Sequence, residues 1–144
     1  MSRNPHQPGY DAENRGGNRS LATAVLGASP KSDRYSHKAL LRLRDAGHPV
    51  IPVNPAYDEI EGIACVGDAV EAAKAAGPGG LHTLTVYLAP DHLEPLIPDI
   101  IEAAPKRVVF NPGAESETAV AALDAAGIPW IKACTLVLLS TGQY

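Results

Sequence analysis

From Ser20 onward, short apolar runs alternate with longer stretches of helical periodicity, and this alternation restricts the folds open to the chain. Residues 21–26, Leu-Ala-Thr-Ala-Val-Leu, have strand length and stop at Gly27, the pattern of a buried strand. In residues 35–46, apolar side chains recur at 35, 39, 40, 43 and 46, which is one helical face, and Gly47 follows as a C′ residue. Residues 50–53 are the second strand. Pro52 cannot donate to a ladder, which suits this strand poorly to the middle of a sheet. A weak helix over about 67–76 stops at Gly77-Pro78-Gly79-Gly80. A strand at 81–88 is rich in Thr, Val and Tyr. A helix at 91–104 tolerates Pro95 near its start, whereas Pro98 is placed to kink or restart it. Residues 107–110 form a fourth strand, 114–126 a fourth helix and 128–132 a fifth strand. Residues 134–140 fit a last helical turn or an extended segment.

The joint Asp45-Ala46-Gly47-His48-Pro49-Val50-Ile51 is echoed by Ala125-Ala126-Gly127-Ile128-Pro129-Trp130-Ile131. Each closes a helix with glycine and launches an apolar strand through X-Pro. The expected fold is a three-layer, doubly wound α/β domain with a parallel sheet of about five strands and helices on both faces. Right-handed crossovers place every strand C-terminus on one edge, where open α/β sheets bind ligands.

Residues 1–19 stand apart. They lack apolar periodicity, hold no apolar block of signal-peptide type, and carry Asp11 and Glu13, which disfavour a transit peptide. They are read as a disordered polar tail, and residues 20–144 as one domain. The chain is 45% hydrophobic, 19% charged and of net charge −4, so it lacks the basic face of a generic nucleic-acid binder. No apolar run is long enough to span a bilayer. The two cysteines, Cys65 and Cys134, are too few for a disulfide scaffold, and they fit a cytoplasmic protein with free thiols.

The strand exits supply the candidate site. The first reads Gly27-Ala28-Ser29-Pro30-Lys31-Ser32-Asp33-Arg34-Tyr35-Ser36, the second Asn54-Pro55-Ala56-Tyr57, the third Tyr87-Leu88-Ala89-Pro90 and the fourth Asn111-Pro112-Gly113-Ala114-Glu115. Glycine after the first strand permits a tight turn, and the helix that follows offers N–H groups and a positive dipole end to a phosphate. Ser29, Ser36, Arg34 and Lys31 can add hydrogen bonds. The alternative is an ordinary helix start capped by Ser or Asp. Gly27 has no glycine partners, so the nicotinamide fingerprint is absent, and Asn54-Pro55 stands where an NAD enzyme holds its ribose with an acid.

Gly27-Ala28-Ser29-Pro30 with Arg34-Tyr35-Ser36, then Val50-Ile51-Pro52-Val53-Asn54-Pro55, then Tyr57-Asp58-Glu59-Ile60-Glu61-Gly62, resembles the small stand-alone CoA-binding domain family. That family is Rossmann-like and similar to the CoA-binding domain of the succinyl-CoA synthetase α chain. Asn111 to Glu115, Cys134 to Val137 and Thr141 to Gln143 resemble a bacterial branch of it. The resemblance implies coenzyme A or an acyl-CoA as ligand. Its pyrophosphate would lie on Gly27, Ala28 and Ser29 and the helix start at Tyr35, with Arg34 and Ser36 close by. Asn54 and Pro55 would border the adenosine 3′-phosphate end. Tyr87, Leu88, Ala89 and Pro90 would flank adenine or pantetheine, and Pro112 and Gly113 the pantetheine. The ligase's phosphohistidine domain has no counterpart, so that reaction is not implied.

Catalysis is not the favoured expectation. His92 opens the helix after the third strand and is expected to be a polar first-turn residue. His37 is expected to be solvated on the first helix, with phosphate contact as its alternative. His48 and His82 fall on the far edge. No metal-ligand spacing occurs. Glu115 suits a helix start, and Cys134 behaves as a small hydrophobe unless it exchanges with the CoA thiol. An acyltransferase or thioesterase using Glu115, His92 or Cys134 is one rival reading, and an NAD(H)-sensing regulatory module is another. If the phosphate lies on Gly27, Gly27→Val is expected to abolish CoA binding in a chain that still folds.

Overall fold

The computed structural model describes residues 21–144, so the expected tail over 1–19 lies outside the described residues. The strands are β1 (Thr23–Leu26), β2 (Val50–Val53), β3 (Glu59–Ile60), β4 (Ile63–Ala64), β5 (Thr83–Val86), β6 (Arg107–Phe110) and β7 (Trp130–Lys132). The helices are α1 (Tyr35–Asp45), α2 (Ala69–Ala75), α3 (Pro90–Leu93), α4 (Ile97–Ala103), α5 (Glu117–Ala126) and α6 (Thr135–Ser140). Five strands form one parallel sheet in the order β2-β1-β5-β6-β7, while β3 and β4 pair as a separate antiparallel hairpin.

Alternation along β1 sends its side chains to opposite layers. Ala24 and Leu26 pack with Ala72 of α2, Ile100 of α4 and Leu123 of α5. Val25 packs with Leu40 and Leu43 of α1, joined by Leu138 and Leu139 of α6. The result is the three-layer, doubly wound Rossmann-like sandwich that the sequence predicts. Pro52 lies in the edge strand β2. Its carbonyl accepts from Val66 N–H at 3.0 Å on the outer side, so its missing N–H also faces outward and takes nothing from the β1–β2 ladder.

Several boundaries shift for local reasons. The predicted helix over 91–104 is three pieces, α3, a 3-10 turn at Glu94–Leu96 and α4, with prolines in the first turns of the second and third pieces. Helix α5 starts at Glu117 rather than 114, because the Ser116 hydroxyl accepts from Ala119 N–H and fixes the cap there. The segment after Cys134 is the helix α6. The β3–β4 hairpin has no counterpart in the sequence reading.

The sheet order positions the site. From β1 the chain moves to β2 on one side, then returns to β5 on the other, so the winding reverses between β1 and β5. A crevice opens at such a reversal outside the strand C-termini. The opposite edge is closed by Tyr144. Its hydroxyl is 2.6 Å from Thr23 Oγ1, and the Arg107 guanidinium lies 4.7 Å from its ring centroid. His48 and His82 fall on that closed edge, as expected: His48 Nδ1 accepts from Leu21 N–H and His82 Nδ1 lies 2.7 Å from Thr83 Oγ1.

Candidate functional site

The loop after β1 is tied down from several directions. The N–H groups of Gly27 and Ala28 both donate to Val53 O, at 3.1 and 3.3 Å. Asn54 Nδ2 donates to Ala28 O at 2.9 Å, while Asn54 Oδ1 accepts from Ala56 N–H at 2.8 Å. Asn54 therefore joins the first two strand exits. The Ala28 side chain is fully buried, which leaves only its backbone to a ligand. Ser29 Oγ accepts from Lys31 N–H at 3.1 Å and retains its own proton for donation.

Gly27 has φ +89°, and a Cβ there would sit 2.8 Å from Tyr87 O and 2.9 Å from Leu88 Cδ2. The close approach that requires glycine is therefore the exit of β5. This corrects the expectation that Gly27→Val leaves the fold intact. Valine would strike backbone in a region of φ that branched residues avoid.

Helix α1 starts without help. Its N-cap is Arg34, extended at φ −80° and ψ 141°, and no side chain caps it. Helices α2 and α5 differ, because Asp68 accepts from Glu71 N–H and Ser116 from Ala119 N–H. Arg34 and Tyr35 are exposed beside this open end, and the Ser36 side chain is buried. The ordinary capped start, weighed as the alternative for this helix, is not what forms.

His37 departs from expectation. It is buried, not solvated. Its Nδ1 lies 2.9 Å from Ser29 O and its Nε2 3.1 Å from Glu61 Oε2 in the β3–β4 turn. Contact with the loop backbone, rather than a place in solvent, is its role.

Two cavities open nearby, one walled in part by Gly27 and the other by Tyr35 at the start of α1. One of about 180 Å³ lies on the α2 and α4 side, with Leu26, Gly27, Val53, Asn54, Pro55, Leu88 and Ile100 among its walls. The other, of about 290 Å³, is lined by Tyr35, Tyr87, Asn111, Pro112, Cys134 and Leu136. The third strand exit is thus divided, with Tyr87 facing one cavity and Leu88 the other. Ala89 is the N-cap of α3 and Pro90 its first residue, while Gly113 is exposed at the fourth exit.

A buried network under the larger cavity escaped the sequence reading. Asn111 Nδ2 donates to Thr85 Oγ1 at 2.6 Å and to Val86 O at 2.9 Å, and Asn111 Oδ1 accepts from Thr135 N–H at 2.8 Å. It fastens the ends of β5 and β6 to the start of α6. Tyr87 points its hydroxyl into the same region. That oxygen is buried without a well-formed hydrogen bond, and burial pushes the phenol up to about 12, against a smaller opposing pull from the Thr135 hydroxyl. The candidate catalytic groups are not brought together. His92 is exposed on α3, and Glu115 Oε1 accepts from Gly113 N–H at 3.0 Å. Among the described residues no cluster of His, Cys, Asp and Glu is able to hold a metal ion, and no helix is long and apolar enough to cross a membrane.

The uncapped end of α1 thus lies at the winding reversal of a doubly wound α/β domain, the place where open sheets of this class form a crevice. The CoA binding domain family matches residues 22–140, and the chain belongs to that family. The uncharacterized protein YneT of Bacillus subtilis is 46% identical over 48 residues, a stretch covering 33% of this chain and 36% of that protein. An uncharacterized protein of known crystal structure is 35% identical, with a TM-score of 0.77 over 88% of this chain and 100% of the other. A conserved hypothetical protein from Pyrococcus furiosus is 32% identical, with a TM-score of 0.71 over 81% of this chain and 97% of its own. The dinucleotide-forming acetyl-coenzyme A synthetase 1 of Ca. Korarchaeum cryptofilum shares the fold at 24% identity, with a TM-score of 0.64 over 78% of this chain and 25% of that one.

Proposed function

We propose that this domain binds coenzyme A or an acyl-CoA at the reversal between β1 and β5, and that it does so without catalysing a reaction. The observation that carries the reading is the open N-terminus of α1 beside the anchored Gly27 loop. Family membership supports CoA as the ligand. The pyrophosphate lies against the Gly27–Ser29 loop, whose Gly27 and Ala28 N–H groups are already given to Val53 O, and takes its hydrogen bonds from the first N–H groups of α1, with Arg34 supplying charge from the exposed rim. Ser36 contributes through its backbone, since its side chain is buried. The adenosine end occupies the smaller cavity between Leu26, Leu88, Asn54 and Pro55. Pantetheine leaves past Tyr87, Pro112 and Gly113 toward the larger cavity and Cys134. Ala89 and Pro90 form the rim between the two.

Calorimetric titration with CoA, acetyl-CoA and NADH tests this. CoA and acetyl-CoA bind and NADH does not compete. Tight NADH binding, or no CoA binding, overturns the reading. One observation keeps a second reading open: Cys134 lines the larger cavity, where a thioester would arrive. An acyl-CoA-processing enzyme would release free thiol from acetyl-CoA on incubation, and a simple binding domain releases none.

A further inference from the structure

We propose that His37 and Glu61 form a proton-dependent latch that fixes the Gly27–Ser29 loop for anion binding, an inference that rests on the reading just given. Both ring nitrogens of His37 face acceptors. A carbonyl oxygen cannot donate, so Nδ1 must donate to Ser29 O at 2.9 Å, and Nε2 must donate to the Glu61 carboxylate at 3.1 Å. Only imidazolium satisfies both. Neutral imidazole turns a lone pair toward one of the two oxygens and loosens that contact.

Glu61 itself supplies a second, independent observation. It and Gly62 are the two residues between the paired Ile60 and Ile63, with φ +54° and +75°. A two-residue hairpin turn with positive φ at both positions favours Asn-Gly or Asp-Gly. Glutamate holds this conformation against its preference. What it gains there is the contact with His37. Charges around the ring are few. The hairpin also carries Glu59, exposed, and Cys65, whose thiol faces Asn54 O. The loop carries Lys31, Asp33 and Arg34, all exposed, and Lys38 of α1 lies over the Tyr35 ring. Helix α6, packed on α1, has no titratable side chain, and neither has β2.

The sign follows directly. Protonation closes the latch and places a positive charge beneath the loop, so CoA binds more tightly while the ring is protonated and less tightly once it is neutral. The phosphates of CoA titrate as well, so the informative quantity is the ratio of variant to wild-type Kd at each pH. Glu61→Asn gives the turn its favoured residue and removes the longer carboxylate arm. Its melting temperature is expected to equal or exceed that of the wild type. Its Kd for CoA is expected to be roughly tenfold weaker than wild type at about pH 6 and within about twofold at about pH 8.5. Equal ratios at the two pH values, or no loss at either, overturn the latch. Imidazole nitrogen NMR of the ligand-free chain provides a separate readout. With the latch closed, His37 is expected to show both nitrogens protonated and hydrogen-bonded, and Glu61→Asn to lose the hydrogen bond at Nε2. A singly protonated ring at about pH 6 overturns the latch even if CoA binds. A doubly protonated ring in a chain that never binds CoA keeps the latch and overturns the ligand instead.

Discussion

The exits of β1 and β6 use one backbone device for opposite purposes. Each turns through a glycine near φ +90°, at Gly27 and Gly113, and each leads into a helix on a face of the sheet. At the β6 exit the polar groups are occupied by the protein. Glu115 accepts from Gly113 N–H, Ser116 caps α5, and Ser116 Oγ donates to Glu94 Oε2 at 2.9 Å. At the β1 exit the loop is anchored from beneath by Val53, Asn54 and His37, yet α1 begins with no side-chain cap. A helix end already satisfied by its own side chains, with a carboxylate beside it, has little to offer an anion. An end held rigid but left open has its donors available. This difference is the reason to seat the pyrophosphate at the β1 exit.

The comparison breaks first at its glycines. Gly27→Ala is expected to destabilise the chain by on the order of 3 kcal/mol, because positive φ and contact with Tyr87 O act together. Gly113→Ala meets nothing within 4 Å and costs only the conformational penalty, about 1–2 kcal/mol. Chemical denaturation of the two variants measures both. Equal losses would mean that the β5 exit yields to a side chain at 27, and the tight packing assigned there would be wrong.

Charge at the two exits is the next test. Arg34→Ala is expected to weaken CoA binding by about 1.5–3 kcal/mol if the guanidinium bonds a phosphate oxygen, while Glu115→Gln leaves binding unchanged or slightly stronger. Titrations with the two variants at one ionic strength decide it. A loss at Glu115→Gln with none at Arg34→Ala would move the anion to the β6 exit.

What the sequence made legible divides along the same line. Period and punctuation revealed the five strands of the main sheet and most helices, because a short apolar run bounded by turn residues has few other uses. The tight turn after β1 and the helix start beyond it were legible because glycine and small residues follow the strand directly in the chain. The rest depends on residues distant in sequence. Nothing local in Glu61-Gly62 announces the hairpin, since glutamate is an unfavoured turn residue, held here by contact with His37. His37 reads as one polar residue on an exposed face until the hairpin covers it. Asn111 was visible as part of a motif, but its partners Thr85 and Thr135 come from two other elements. Pro98 signalled the restart at α4, while Pro95, expected to be tolerated within one helix, lies in a separate 3-10 turn between α3 and α4.

The thiols compare the two sides of the site. Burial pushes the Cys65 thiol up, with the Asn54 backbone opposing in part and the Asp58 charge adding to the rise, so it holds less thiolate at neutral pH than an ordinary cysteine. Cys134 lines the larger cavity. Iodoacetamide is expected to label Cys134 several-fold faster, with CoA protecting it, and the Cys65 rate should still climb at pH values where an ordinary thiol has levelled off. Peptide mass spectrometry reads each site. Faster labelling at Cys65, or labelling of Cys134 indifferent to CoA, would take Cys134 off the ligand path.

The smallest expected effect tests the comparison most directly, because it converts the β1 exit into the β6 kind. Position 34 already has the extended backbone of an N-cap, so Arg34→Ser can cap α1 as Ser116 caps α5. Arg34→Ala is its control, since both substitutions remove the guanidinium and only one adds a capping oxygen. Arg34→Ser is expected to be the more stable of the two by about 0.5–1 kcal/mol. It is also expected to bind CoA the more weakly, by roughly two- to fivefold, because the phosphate must displace the new cap before reaching the helix N–H groups. At the other exit Ser116→Ala should lose about 1 kcal/mol of stability with CoA affinity unchanged. Opposite movements of stability and affinity at position 34, set against stability alone at 116, are what a ligand on the open end of α1 requires. Equal CoA affinity in Arg34→Ser and Arg34→Ala would remove the phosphate from that helix end, however well the loop beside it is anchored.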